Sequence, residues 1–240
     1  MKLEDAAAVK VGDTDVAAIY IGETQVWPVD PGPPAGDAPT VVDYTTGGGW
    51  IGGGTFTLTL PTLDGVGPSD LVLVFVSMTE LGVTYSGTGW TQIASLDTDG
   101  SSTIGVLQGT GSSASTVTSS HELWSTGMIA IAWSDAAGVE LGDPVNVVSF
   151  GAGEIPVLED VPGFTAPGPA SAIAVGVGDW GATWTLTGDP GATSLGTPND
   201  GLAGWLRGDF DTGVVDDVEG TFNVEWQRWV AIQVAAYSSP

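Results

Sequence analysis

Residues Asp70 to Met78 read DLVLVFVSM, and Ala170 to Gly178 read ASAIAVGVG. A half-buried strand alternates apolar and polar residues, because successive side chains point to opposite faces. The first of these runs is apolar at both parities, so it reads as a strand covered on both faces rather than as the lid of an open sheet. The second resembles it. Around them, strand and turn signals recur about every ten residues, the spacing of a sandwich or barrel. Thr55 to Leu60 (TFTLTL) alternates and places Phe56, Leu58 and Leu60 on one face. Trp90 to Leu96 and Ser102 to Gly109 form an expected antiparallel pair, with Asp99-Gly100 suited to a type I′ turn. Ser115 to Ser119 and Gly127 to Ser134 read as two more strands. No convincing helix is present; Ser134 to Gly142 is short and interrupted by Gly138.

The order of signals repeats. Ala182 to Gly188 (ATWTLTG) answers Val83 to Gly89 (VTYSGTG), Leu202 to Gly208 stands where STIGVLQG stood, and Gly220 to Ser238 echoes Ala114 to Ser134. The expected fold is all-β: an antiparallel, jelly-roll-like β-sandwich over residues 40–240, made of two related halves.

Before it lies a smaller repeat. Val9 to Ala18 (VKVGDTDVAA) and Ile19 to Pro28 (IYIGETQVWP) match at the alternating apolar positions and at the Gly-acid-Thr turn. Two tandem β-hairpins are expected over residues 1–29, followed by a Pro/Gly-rich linker over residues 30–39. A module this small cannot bury a sufficient core alone, so it should complete its fold against a partner.

Composition narrows the function. Hydrophobic residues make up 42% of the 240 and charged residues 14%, which marks a folded chain. Four Lys plus Arg stand against 29 Asp plus Glu, giving a net charge of −25. Nucleic-acid binding needs cations to displace counterions, so no nucleic-acid partner is expected, and no anionic membrane surface either. The acidity suits solubility; adaptation to high salt and a Lys-poor coding genome explain it equally well. There is no cysteine, hence no disulfide framework and no thiolate metal site. Met1 to Asp5 lacks a signal-peptide core, so synthesis in a cytoplasm without a classical leader is expected. The longest apolar runs, Leu71 to Val76 and Met128 to Trp133, are of strand length.

Catalytic patterns are weak, and no enzyme and no cofactor are expected. His121 is the sole histidine and no Gly-x-Ser-x-Gly elbow surrounds a serine. Glu154, Glu159, Asp160 and Glu225 are plentiful acids with no spacing that selects a glycosidase pair. Asp97-x-Asp99-Gly100 and Asp209-x-Asp211 resemble calcium loops, but counting from Asp97 the sixth position is Ser102 and the twelfth Gln108, so the EF-hand pattern fails. Trp90, Trp124, Trp133, Trp226 and Trp229 read as core plugs with N–H groups tied to backbone. Trp180 and Trp184, among small residues, and Trp50, within GGGWIGGG, read as surface-recognition candidates for a sugar or a protein; burial in a subunit interface suits them equally.

The N-terminal repeat resembles segments of tailed-phage minor structural proteins, which carry Y-x-G-x-x-x-V-W units ahead of a variable β-rich domain. Tyr20, Gly22, Val26 and Trp27 supply that pattern. Ser69 to Ser77, Gly89 to Ile93 and the strand before Trp133 are similar in order to β-sandwich domains of such proteins. The resemblance implies a virion structural protein, a minor tail or tail-fibre-like appendage. Docking would run through Val11, Gly12, Ile19, Tyr20, Ile21, Gly22, Val26 and Trp27. Its expected partners are other virion proteins, copies of itself as a homotrimer, and a host-surface glycan or protein. A capsid decoration or head spike, a carbohydrate-binding module and, last, a polysaccharide-degrading enzyme are the alternatives.

Overall fold

The computed structural model describes residues 9–11, 14–16, 19–21, 24–27, 36–98, 102–148, 157–178, 184–187, 189–198, 201–222 and 228–239. The chain divides into two compact units, Met1–Ala35 and Gly36–Pro240. In the first, β1 (Val9–Val11) pairs antiparallel with β2 (Thr14–Val16), and β3 (Ile19–Ile21) with β4 (Thr24–Trp27). Each copy of the repeat is therefore one two-stranded hairpin. The turn residues Gly12 and Gly22 lie outside the described residues, as does the linker up to Ala35.

The larger unit is built twice. Its first half contains β5 (Thr40–Trp50), β6 (Thr57–Thr59), β7 (Leu71–Met78), β8 (Tyr85–Ser86), β9 (Thr91–Asp97), β10 (Thr103–Thr110), β11 (Thr116–Ser119) and β12 (Ser125–Ser134). A five-stranded sheet runs β5-β12-β7-β10-β9 and a three-stranded sheet β6-β11-β8. The pairings are nested: β5 with β12, β6 with β11, β7 with β10, and a bridge from Gly87 to Trp90 between β8 and β9. This is a long hairpin rolled up on itself, the jelly-roll arrangement expected from the sequence.

The second half contains β13 (Gly138–Leu141), β14 (Val145–Val148), β15 (Val157–Val161), β16 (Phe164–Thr165), β17 (Ala170–Gly178), β18 (Trp184–Thr187), β19 (Thr193–Gly196), β20 (Leu202–Phe210), β21 (Val214–Val215), β22 (Val218–Phe222) and β23 (Arg228–Tyr237). Its large sheet runs β13-β23-β17-β20-β19, with β14 also on β23; its small layer is β15-β22-β18 with a separate β16-β21 pair. The strand order repeats that of the first half, with β13 and β14 together in the place of β5, β15 and β16 in that of β6, and β21 and β22 in that of β11.

The halves form two sandwiches packed back to back rather than one shared sandwich. Leu71, Leu73 and Phe75 of β7 join Ile129, Ile131 and Trp133 of β12 in one core cluster, facing Ile173, Val175 and Val177 of β17 and Val230, Ile232 and Val234 of β23. The opposite parity of β7, Val72 to Met78, packs with Leu58, Val117 and Leu123 under the first small sheet. Every residue of β7, and every residue of β17, is buried. That is the physical cause of the continuous apolar runs: each central strand has a neighbouring sheet on both faces. Each fully buried Leu, Ile, Val or Phe contributes about 1.5–3 kcal/mol of transfer free energy.

One expectation needs correction. Phe56 does not share a face with Leu58 and Leu60; it is 49% exposed, while Leu58 and Leu60 are buried. The small sheet begins only at Thr57, so Phe56 precedes the alternating segment. As expected, none of the described residues is helical; Ser134 to Gly142 contains the edge strand β13.

Candidate functional site

Seven large apolar side chains are exposed among the described residues, and four of them gather at one end of the first sandwich: Trp50 (66%), Trp124 (45%), Phe56 (49%) and Ile51 (37%). β5 enters its sheet at Thr40 and delivers Trp50 at its far end, about 30 Å away at the usual rise per strand residue. The loop after it, Gly52-Gly53-Gly54, takes φ values of +88°, +78° and +80°. Three consecutive residues in this region are open to glycine at little steric cost and to other residues only under strain.

The glycine loop is clamped to the segment before β12. Ile51 N and Gly52 N donate to Trp124 O at 2.7 and 3.2 Å, and Gly53 N donates to Leu123 O at 3.0 Å. Gly54 N donates to Glu122 Oε1 at 2.8 Å. A Cβ at Gly53 would stand 2.9 Å from the Trp124 ring, so glycine lets the backbone lie directly on the indole. The Trp50 and Trp124 rings meet with centroids 6.1 Å apart at 57°, a tilted aromatic contact that adds about 0.5–1.5 kcal/mol to simple burial. The chain thus spends entropy on glycines in order to hold two indoles in one geometry at the surface.

Trp50 also borders a trough of about 360 Å³ on the open side of the sandwich, between the edge strands β5 and β6. Gly49 of β5 stands opposite Thr126, and Gly47 opposite Met128. Cross-strand partners share a face, so the missing side chains on β5 leave this space open. Leu58 and Met128 line it, with Thr57 and Thr59 on the β6 side. Thr126 is wholly buried, and its Oγ1 has no hydrogen-bond partner among the described residues. No charged residue lines the trough.

The remaining candidates fall away from any common centre. Trp184 is 1% exposed and packs with Trp229 and Val218 inside the second sandwich, so it is a core residue and not a recognition surface: its strand alternation turns it inward over Gly220. Trp180 lies outside the described residues, as do Trp226, Glu154 and Glu225. Trp124, expected as a core plug, is exposed because it precedes β12 and escapes that strand's alternation. Trp133 and Trp229 are buried as expected, and Trp90 ties its Nε1 to Ala114 O at 2.7 Å, but the Nε1 of Trp133 has no hydrogen-bond partner among the described residues.

His121 is half-buried, with Nδ1 at 2.9 Å from Ser120 Oγ, but that hydroxyl also accepts from Thr84 N, and no described carboxylate bonds to the ring. Asp97 caps a turn, accepting from Gly82 N at 3.2 Å and from Thr103 Oγ1. Among the described residues no group of three or more His, Asp or Glu is placed to hold a metal ion.

Family models, curated proteins and solved structures return no match to this chain. The site therefore rests on its own geometry: an aromatic pair fixed by a glycine loop, beside an uncharged trough. Trp50 was marked by its flanking glycines in the sequence. Trp124, Thr126 and Gly49 were not; only the β5–β12 register brings them to it.

Proposed function

We propose that this chain is a structural protein of a tailed-virus particle, a minor tail or fibre-like appendage that docks through its N-terminal hairpins and displays the duplicated sandwich for contact with the host surface. The observation that carries this reading is the N-terminal unit, in which each copy of the repeat is one hairpin of three- or four-residue strands. An isolated two-stranded hairpin is marginal in water, so such a unit gains by adding to a partner's sheet or interlocking with copies of itself. Val11, Ile19, Tyr20, Ile21, Val26 and Trp27 all lie within its strands.

The larger unit suits display. Its chain enters beside its own C-terminal end, where Gly36 approaches Ser238 and Ser239, and the Trp50 patch occupies the far end of β5. A tether at one pole and an exposed aromatic surface at the other is what an appendage requires.

The reading is tested with particles assembled from a chain lacking residues 1–35. The expected result is loss of the protein from purified virions while the truncated chain remains soluble in the lysate. Incorporation at the level of the full-length chain would refute the docking role.

A further inference from the structure

The geometry points to the Trp50 trough as a binding site for a neutral saccharide, a hexose or N-acetylhexosamine chain. This rests on the appendage reading for its biological purpose but on separate observations for its chemistry. The apolar face of a pyranose needs a flat, exposed ring to stack on, and Trp50 offers one, 66% exposed and braced by Trp124. The equatorial hydroxyls of the sugar need donors and acceptors at its edge. β6 lies at the end of its sheet, so the outer edge of Thr57 to Thr59 faces the trough with backbone groups that its partner β11 does not take, apart from Thr57 N, which donates to Thr55 Oγ1 at 3.2 Å.

Thr126 supplies the second, independent indication. A buried hydroxyl left without a partner carries a free-energy cost, and Thr126 stands on the trough wall with no partner for its Oγ1 among the described residues. β-strand parity places it on the same face of β12 as Met128, and opposite it Gly49 has no side chain, so a ligand group that enters the trough there meets this otherwise buried hydroxyl. A ligand that brings its own hydroxyl or amide satisfies that atom; a purely apolar partner does not.

Charge selects the kind of saccharide. The trough has no charged lining residue, and the whole chain carries only four Lys plus Arg against 29 acids. An anionic polysaccharide would meet a net charge of −25 with no local cation to offset it. A neutral chain meets no such penalty.

The experiment titrates the full-length protein with oligomers of glucose, N-acetylglucosamine, galactose and mannose, and with oligogalacturonate as the anionic control. Tryptophan fluorescence and calorimetry provide the readouts. At least one neutral oligomer should bind and oligogalacturonate should not. Trp50→Ala should weaken binding by roughly tenfold or more, the equivalent of one good contact. Thr126→Val should weaken it severalfold with the melting temperature unchanged or raised, which separates a ligand contact from a structural role.

Binding by none of the neutral oligomers overturns the inference, as does binding that survives both Trp50→Ala and Trp124→Ala, or equal affinity for oligogalacturonate. Self-association abolished by Trp50→Ala, with no saccharide bound, would mark the patch as a subunit interface and overturn it too. Failure here with loss of incorporation on deleting residues 1–35 leaves the appendage reading intact; saccharide binding with unimpaired incorporation of the truncated chain does the reverse.

Discussion

The two sandwiches share a strand order but fill their interiors differently. In the first, the space between large and small sheets is one continuous apolar cluster, from Leu58 and Leu60 to Met128, Ala130 and Ala132. In the second, the inward face of β23 places Gln233 between Ala231 and Ala235, and the apolar residues separate into two clusters on either side of it. The small layer is broken at the same place, between β15 and β16 and between β21 and β22. A break in a ladder leaves backbone carbonyls facing the interior, where an unmet acceptor is costly. Gln233 Nε2 donates to Val161 O and Pro162 O, both at 2.9 Å, and to Asp216 O at 3.1 Å. Arg207 Nη1 donates to Asp216 O at 2.7 Å and to Gln233 Oε1, while its Nε pairs with Asp189 Oδ2 at 3.0 Å. The comparison teaches that one topology tolerates either an unbroken apolar filling or a broken one, provided that polar side chains from the large sheet repair the break.

Exchanging the two solutions gives the largest expected effect. Gln233→Ala takes this donor from the Val161 and Pro162 carbonyls and leaves a nearly buried guanidinium short of a partner, and should cost about 3–5 kcal/mol of stability. Ala130→Gln places an amide in the unbroken first sandwich, where no freed carbonyl awaits it, and should cost about 2–5 kcal/mol. Denaturant melts of both variants check this; a small loss in either would mean that the two interiors are interchangeable.

A second difference concerns volume. The first large sheet turns Val72, Val74 and Val76 inward from β7, whereas β17 turns Ala170, Ala172 and Ala174 inward. The second sandwich makes up the volume with indoles, and Trp184 lies directly on Gly220. Gly220→Ala would drive a methyl into that ring and should destabilise by about 1–3 kcal/mol. Restoration of stability by adding Trp184→Phe to Gly220→Ala would sharpen the point.

The smallest effect is confined to alkaline pH. Burial pushes the Tyr85 phenol well above its ordinary value, because the phenolate loses its hydration in the first sandwich. Below about pH 10 Tyr85 is neutral in both folded and unfolded chains, and its contribution is fully present. As pH rises beyond that, the unfolded chain ionises first and stability falls. Melts of Tyr85→Phe and the natural chain should nearly coincide at neutral pH and diverge above pH 10, with the variant losing less. Parallel curves would place alkaline sensitivity elsewhere.

Much of this fold was legible because burial on both faces writes itself into a strand. Asp70 to Met78 announced a sheet with neighbours above and below, and the shared order of signals announced two halves. What the halves do with each other was not legible: the same apolar runs suit one sandwich or two, and only the three-dimensional packing of Phe75 with Ile173 and Val175 in a common core separates these. For the site, glycines flagged Trp50, but tryptophan reads alike in a core and on a surface. Trp124 and Trp184 exchanged places relative to expectation, because exposure depends on whether the residue falls inside or just before its strand.

The register of β5 against β12 has a mechanical consequence. β5 is an edge strand, paired along its length from Thr40 opposite Ser134 to Trp50 opposite Ser125. The chain enters this unit at the Thr40 end and presents its exposed indole at the other. A pull on the incoming chain at Thr40, resisted by β12 and the strands behind it, runs along the strand axis, so the β5–β12 hydrogen bonds are loaded in shear and resist together. A pull applied across the strand would open them one after another, as a zipper does. A pull along the axis of β5 is therefore the one against which this outermost strand is hardest to tear away.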